Sequence, residues 1–315
     1  MRRRHPLAHL IAVRLLQSVV VWFGALIVCF VLAAAAGDPA DVQTAGQLGS
    51  TPERVRALRD QLGYGDPFLQ RLGHFVAHAS HGDFGTSFQS SQSAFDIVMR
   101  ALPSTLLLVG CALTIALASG VGLALVSVLR RERVADRAIR RFLAVAQGIP
   151  DFWLATMLVL LFSVTLQMLP SIGFDGPDGL VLPTIALAVP LLPPFVRLAR
   201  GSLLDVMKLD FITSLRGKGL SERDIVVQHA LRNALPPLVT FAALQVGWLI
   251  GGTIIVESIF AWPGIGNLVV EAVRARDVAV VKAVVAVVAI SYIVLNLAAD
   301  VLTALLDPRI RVARA

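Results

Sequence analysis

The amino-acid sequence predicts an all-α integral membrane protein with six membrane-spanning helices, and three observations carry that prediction. Of its 315 residues, 56% are hydrophobic and only 16% charged, with a mean hydropathy of +0.76. The length would suit one or two soluble domains, but the composition excludes them. The apolar residues also lie in long blocks rather than in short alternating runs. A run of about 20 apolar residues crosses a bilayer as a helix, because in lipid every backbone polar group must be satisfied internally. Finally, Lys and Arg crowd the segments between alternate blocks, which is how a multi-pass chain fixes its orientation.

Residues 1–36 form the N-terminus and the first span. Arg2, Arg3, Arg4 and Arg14 lead into an apolar block at 15–36. A cleavable signal peptide is disfavoured, because this block has the length of a span rather than of a short signal core. Residues 37–100 are too polar to span and too patterned for a tether, so they predict a small extracytoplasmic subdomain. Thr51 is placed as an N-cap with Pro52 at the first helical position and Glu53 beside it, and Gly63 as the stop. A second short helix is expected over 67–79, followed by a turn at Gly-Asp-Phe-Gly-Thr-Ser, residues 82–87.

The transmembrane core is expected over 101–308, with spans at 102–129, 142–166, 180–198, 235–256 and 278–306. The segment after the second span carries Arg130, Arg131, Arg133, Arg137, Arg140 and Arg141, whereas that between the third and fourth has only Asp175 and Asp178. Pro183, Pro190, Pro193 and Pro194 would break a soluble helix, but neighbours in a bundle re-satisfy the freed carbonyls, so 180–198 reads as a kinked span. Residues 200–235 are again basic, with Arg200, Lys208, Arg216, Lys218, Arg223 and Arg232, and the tail 309–315 holds Arg309, Arg311 and Arg314. The positive-inside rule therefore places both termini and the two basic segments in the cytoplasm. The net charge of +7 is a topology signal with room for anionic-lipid contacts, and no nucleic-acid partner is needed to explain it.

Outside the spans, Phe260 and Trp262 sit where a span meets water, as interfacial anchors. With Pro263, Gly264 and Gly266 they form the candidate external gate or turn, dipping back toward the bundle before a short helix at 268–275. Gly247 and Gly251 make a GxxxG, and Ser119, Gly120 and Gly122 cluster in the second span. Such small residues let helices approach closely, here within one bundle rather than at a dedicated subunit interface.

A search for catalytic chemistry yields nothing to assign. HExxH, CxxC and GxSxG are all missing, and Cys29 and Cys111 lie inside apolar blocks as small hydrophobes. His74, His78 and His81 have the spacing of one helix face, yet no Cys or matched carboxylate accompanies them, so no metal site is expected. Arg-Gly-Lys-Gly at 216–219 fails the Walker A pattern, because Gly219 stands where Ser or Thr should bind magnesium. Asp151, Lys282 and Asp300, the last a turn from Asn296, are near span ends, where interfacial solvation accounts for them. The midplane carboxylates of an ion-coupled secondary transporter do not emerge. That alternative, and an intramembrane enzyme, are the readings set aside.

The segment 210–233 is over-built for a loop. It reads as a helix running on from Arg200 past Asp210 to Gly219, which takes a left-handed C′ conformation, then a second helix capped by Ser221 with Asp224 three residues on. Pro236 and Pro237 are expected to start the fifth span. A folded, basic knob of this kind suits docking.

These residues, Gly-Lys-Gly-Leu-Ser followed by His-Ala-Leu-Arg-Asn-Ala-Leu, resemble the EAA loop of ABC importer permeases of the dipeptide/oligopeptide/nickel family. The likeness extends over nearly the whole chain, through Gly-Asp-Phe-Gly-Thr-Ser, Phe-Ala-Trp-Pro-Gly-Ile-Gly and Leu-Leu-Asp-Pro-Arg-Ile-Arg. The long first loop is similar to that of the B-type subunit. The resemblance implies the type I importer permease fold in the bacterial inner membrane, with a coupling helix seated on a cytoplasmic ATPase. It implies docking by Asp210, Arg216, Gly217, Lys218, Gly219 and Leu220, and bracing by Ser221, Glu222, His229, Arg232 and Asn233. The implied partners are a C-type permease, two ATPase domains that hold ATP and Mg2+, and an extracytoplasmic binding protein, with no cofactor on this chain. The implied cargo is a peptide, with nickel chelates, glutathione or haem as alternatives. Thr213, Ser214 and Leu215 replace the usual Glu-Ala-Ala, and Gly217 follows the Arg where alanine is usual. The partner's groove should therefore be roomier, and Gly217 costs about 1 kcal/mol against Ala in a helix.

Overall fold

A computed structural model of the chain describes residues 6–35, 67–173 and 176–306, with side chains for 16–31, 67–173, 176–299 and 301. The expectations for Thr51, Pro52, Glu53, Gly63, Asp175 and the tail 309–315, and for the Asp300 side chain, lie outside the described residues. Those described are helical apart from turns and one antiparallel bridge between Thr86 and Ser93. In order they form α1 (Pro6–Ala35), α2 (Phe68–Ser80), α3 (Ala94–Leu129), α4 (Val134–Gly148) and α5 (Asp151–Thr165). Then follow α6 (Asp178–Val206), α7 (Asp210–Gly217), α8 (Glu222–Ile259), α9 (Ile265–Arg274) and α10 (Val278–Leu306).

Among the described residues, four helices are long and apolar enough to cross a membrane: α3, α6, α8 and α10. In α1 the apolar stretch with described side chains is Leu16–Val31. The uninterrupted third span expected at 142–166 is corrected. Helices α4 and α5 pass the same test only together, and they meet at a bend of 101°. Pro150 is the cause: its ring pushes Ile149 out of the helical region to φ −88°, ψ 121°. A new helix then starts from Pro150, whose carbonyl accepts the Leu154 N–H at 3.0 Å. Residues Val159–Thr165 of α5 are π-helical. Another correction concerns Pro236 and Pro237, which lie inside α8 rather than at its start, because the helix runs on from Glu222.

The chain divides into two compact units, which α3 and α10 both thread. The first holds Ala8–Thr105 and Pro263–Val294. Its apolar cluster joins Leu26 of α1, Ala79 of α2, Val98 of α3, Ala272 of α9 and Val284 of α10. Polar contacts tie the same elements: the Ser87 hydroxyl donates to Asp277 Oδ2 at 2.6 Å, while Asp277 Oδ1 accepts the Val280 N–H at 3.2 Å and so caps α10. Lys282 was expected to be solvated at the interface. Its ammonium instead sits 5.3 Å from the Phe30 ring centroid and 4.9 Å from that of Phe75. These rings stack at 5.4 Å, so aromatic faces stabilise the cation. Beyond α2, Gly82 and Gly85 take φ +79° and +88°, and the Gly85 N–H and His78 both bond to Asp83. Those two hydrogen bonds, the Gly85 one foremost, hold the Asp83 carboxyl below its ordinary value.

The second unit, Leu106–Trp262 with the chain beyond Leu295, is organised around α6. Two thirds (67%) of the most apolar window of α6 is buried, against 28% for α3, α8 and α10. The four prolines are tolerated here because packed neighbours surround the helix. Helix α6 packs against α4, α5 and α8. Of the small residues singled out above, Gly120 makes the close approach: a Cβ there would lie 2.8 Å from the Phe195 Cβ of α6. Gly122 and Gly251 have open space within this chain.

Candidate functional site

The segment between α6 and α8 folds, with the start of α8, into a helix–turn–helix. The single helix expected from Arg200 past Asp210 is corrected, because the chain breaks at 207–209. The Met207 N–H still bonds to the Leu203 carbonyl at 3.0 Å, but Leu209 is extended, at φ −75°, ψ 148°. With this break Ile212 is fully buried, in an apolar cluster with Leu203 of α6, Leu143 of α4 and Ile225, Ala230 and Ala234 of α8. Asp210, Arg216, Gly217, Lys218 and Gly219 are all exposed, and Leu220 is half-buried against the same cluster. One face thus anchors α7 while charges of both signs line the other.

The turn closes as a Schellman motif. Gly219, at φ +84°, donates its N–H to the Arg216 carbonyl at 2.9 Å, and the Leu220 N–H reaches the Leu215 carbonyl at 3.3 Å. The Ser221 Oγ accepts the Asp224 N–H at 3.2 Å and donates to Asp224 Oδ2 at 2.6 Å, capping α8. Across the turn Arg216 makes a forked pair with Glu222, Nε to Oε1 at 2.6 Å and Nη2 to Oε2 at 3.3 Å. That pair raises the guanidinium above its ordinary pKa and fixes its direction. Ser221 and Glu222 therefore belong to the turn.

His229, Arg232 and Asn233 were expected to brace the second helix. Arg232 and Asn233 are exposed and His229 half-buried, and the Asn233 amide donates to the His229 carbonyl at 2.8 Å, within its own helix. The packing comes instead from Ile225, Val226, Ala230 and Ala234, because the inward face of α8 is apolar and leaves its polar side chains outside. The start of α8 relaxes to a π-helix over Ile225–Ala230.

A second cluster, unforeseen as a unit, lies between α3, α4 and α6. Asp136 is wholly buried, and its Oδ1 accepts the Ser127 hydroxyl of α3. Its Oδ2 accepts the Glu132 N–H at 3.2 Å and lies 3.4 Å from Arg140 Nη2 and 3.6 Å from Arg200 Nη2. Arg200 Nε also donates to Ser127 Oγ at 2.9 Å. Nearby, Arg197 of α6 donates to Gln147 of α4 at 2.6 Å. Two acids, Glu132 and Asp136, amid six arginines were the only sequence signal, and it could not single out Arg200.

The candidate external turn dips back and leads into a short helix, Ile265–Arg274. Phe260 and Trp262 are buried within the protein, where the backbone folds back: Ala261 takes φ +45° and the Trp262 N–H bonds to the Glu257 carbonyl at 2.8 Å. The Phe260 carbonyl accepts the Gly173 N–H at 2.9 Å. Gly264 and Gly266 are buried and Pro263 is exposed, and α9 begins at Ile265, whose N–H bonds to Thr105 Oγ1 at 2.8 Å. Glu257, overlooked in the sequence because it falls just past the fifth apolar block, is fully buried.

Residues 116–312 match the family described as binding-protein-dependent transport system inner membrane component. A protein of Brucella abortus named as a peptide transport system permease is 35% identical over 311 residues, covering 96% of this chain and 98% of that one. The glutathione transport system permease protein GsiC of Escherichia coli is 34% identical over 275 residues, 87% of this chain and 89% of that one. A chain of the inward-facing MetNI methionine ABC transporter shares the fold at TM-score 0.57 and 19% identity, over 67% of this chain and 96% of that one. A chain of an amino acid ABC transporter crystallised with histidines does so at TM-score 0.51 and 16% identity, over 68% and 94%.

Proposed function

The chain belongs to the family of binding-protein-dependent transport system inner membrane components, and from that premise we propose that it is one permease half of an ATP-driven importer of peptides. The observation that carries this reading is the α7 knob: exposed Asp210, Arg216 and Lys218 on a helix locked from beneath by buried Ile212 and at its end by Gly219. A helix so fixed passes a push on to the spans instead of bending. The peptide assignment rests on the names of the relatives, and glutathione is itself a short peptide.

In this reading α7, with Gly217, Lys218, Gly219 and Leu220 at its tip, docks in a groove of a cytoplasmic ATPase, and Ser221 and Glu222 hold the tip in shape. Closure of two ATPases on ATP and Mg2+ draws this chain and its C-type partner through alternating access. An extracytoplasmic binding protein delivers the cargo, and Phe260, Trp262, Pro263, Gly264 and Gly266 form the outer turn that gates its entry. With α1 as the first of six spans and α4–α5 as the bent third, both termini lie on one side of the membrane, and the positive-inside rule supports the cytoplasm as that side. ATP hydrolysis belongs to the partners.

Two substitutions test the knob. Arg216→Glu reverses the charge at the tip, and Gly219→Asp puts a side chain on a left-handed residue, where strain costs about 1–2 kcal/mol. Both should abolish uptake of a dipeptide probe and weaken co-purification of the ATPases while the chain still inserts. Normal uptake by both variants would overturn the docking role. Uptake by the purified chain alone in liposomes under an ion gradient would favour a secondary transporter.

A further inference from the structure

We infer that Asp136 is a positioning residue for ATP coupling: it clamps α3, α4 and α6 into one body, so that motion of α7 reaches the spans undiminished. The inference rests on α7 being the docking helix. Its warrant lies in which elements meet at one carboxylate. Ser127 is near the end of α3, Glu132 is in the turn that follows, Arg140 is one helical turn along α4, and Arg200 is two turns before the end of α6. Arg200 and Ser127 also bond directly, which closes a ring of three side chains from three helices.

Two features separate this cluster from an ordinary surface ion pair. Its carboxylate is fully buried, in a segment where charged side chains otherwise face outward. Moreover, Glu132 adopts φ +64°, a left-handed conformation that a side chain makes unfavourable, and its N–H is held by Asp136. The sharp reversal between α3 and α4 is thus pinned to the same atoms that receive Arg200. Beneath it, the apolar cluster that seats Ile212 of α7 also contains Ala124 of α3, Leu143 of α4 and Leu203 of α6. Apolar contact alone lets helices slide on one another, whereas directional bonds to a buried carboxylate fix their register. A push on α7 is therefore delivered to α3 and α4 as well as to α6.

The test uses the assembled transporter in lipid nanodiscs, with Cys29 and Cys111 replaced by serine and spin labels at Thr213→Cys, exposed on α7 and outside the docking tip, and at Val145→Cys on α4. Distances are measured without nucleotide and after trapping with ATP and vanadate. In the chain with Asp136 the α4-to-knob distance should be unchanged by trapping. In Asp136→Asn it should match the parent without nucleotide, which shows that the fold survives, and shift or broaden on trapping. The mutant should retain basal ATP hydrolysis, while its uptake of a dipeptide probe per ATP falls at least about fivefold, the lower range of coupling between sites. A merely structural role would alter the nucleotide-free distance as well. Arg200→Gln, which spares the carboxylate and Arg140, carries the same comparison if Asp136→Asn fails to assemble. An Asp136→Asn distance that stays fixed on trapping, with the Thr213 label immobilised by the ATPases, overturns the clamp alone. A Thr213 label that remains mobile with the ATPases present overturns the docking reading and the clamp with it.

Discussion

At the scale of single residues, charge and burial divide the labour around α7. Arg216 and Glu222 are partly exposed, with 44% and 59% of their side-chain surface accessible. Water screens such a pair, so its worth lies in orientation more than in stability. Glu222→Gln should leave the thermal midpoint of the purified chain unchanged. It should weaken ATPase association roughly threefold to tenfold, because an unguided guanidinium must be ordered on binding; titration of the ATPase onto the reconstituted permease reads this directly. Equal affinity would show that the forked pair is only a surface contact. Asp136 is the opposite case: buried and multiply bonded, it belongs to the class of charges whose partners cannot be removed cheaply. The turn residues were legible in the sequence because Gly219 and Ser221 act on neighbours a few positions away. Asp136 was not, since Ser127 and Arg200 are 73 positions apart and meet only when α3 packs near α6.

At the scale of elements, length and hydropathy set where helices run, and local stereochemistry sets where they break. The apolar block at 278–306 coincides with α10, and a helix expected over 67–79 occupies Phe68–Ser80. The break between α4 and α5 escaped a reading by hydropathy, because apolar residues continue on both sides of Ile149 and Pro150. Four prolines in α6 are absorbed while Pro150 ends a helix. The difference is context: α6 lies in the middle of its unit, whereas at Pro150 the chain turns through 101°. The small-residue cluster of α3 shows the same dependence on context. Gly120→Ala would set a methyl group 2.8 Å from the Phe195 Cβ, with the Phe195 and Val196 backbone 3.7 Å away. Nothing there is the flexible end of a side chain, so α3 must move from α6. The expected loss is about 1–3 kcal/mol, seen as a lower melting temperature in detergent. Gly122→Ala meets nothing within 4 Å and should stabilise by up to about 1 kcal/mol through helix propensity. Similar melting of both variants would refute the proposed approach of α3 to α6 at Gly120.

At the scale of the whole molecule, orientation is a statement about charge that fold geometry alone does not make. The same helices inserted upside down would keep every contact described above. The asymmetry lies in the segments between them. Arg130, Arg131, Arg133, Arg137, Arg140 and Arg141 flank one end of α3, Lys208, Arg216 and Lys218 lie between α6 and α8 with Arg223 at the start of α8, and 167–179 carries neither Lys nor Arg. Lys and Arg near helix ends resist translocation, and acidic residues contribute little to the choice. Orientation is therefore determined by the two basic segments together with Arg2, Arg3 and Arg4, all of which the proposed topology leaves on one side. A green fluorescent protein fused after Ala315 should fluoresce, and alkaline phosphatase inserted after Gly173 should be active, since the first reporter matures inside the cell and the second outside. A phosphatase inserted after Gly219 should be silent. The charges can be challenged as well: replacing all six arginines of 130–141 with glutamine weakens the signal on one side of α3. It should yield mixed reporter activity after Gly173, while Asp175→Asn with Asp178→Asn leaves the pattern untouched. An active phosphatase after Gly219 in the unaltered chain would place α7 outside the cell, beyond reach of any cytoplasmic ATPase, and would overturn both the topology and the function built on it.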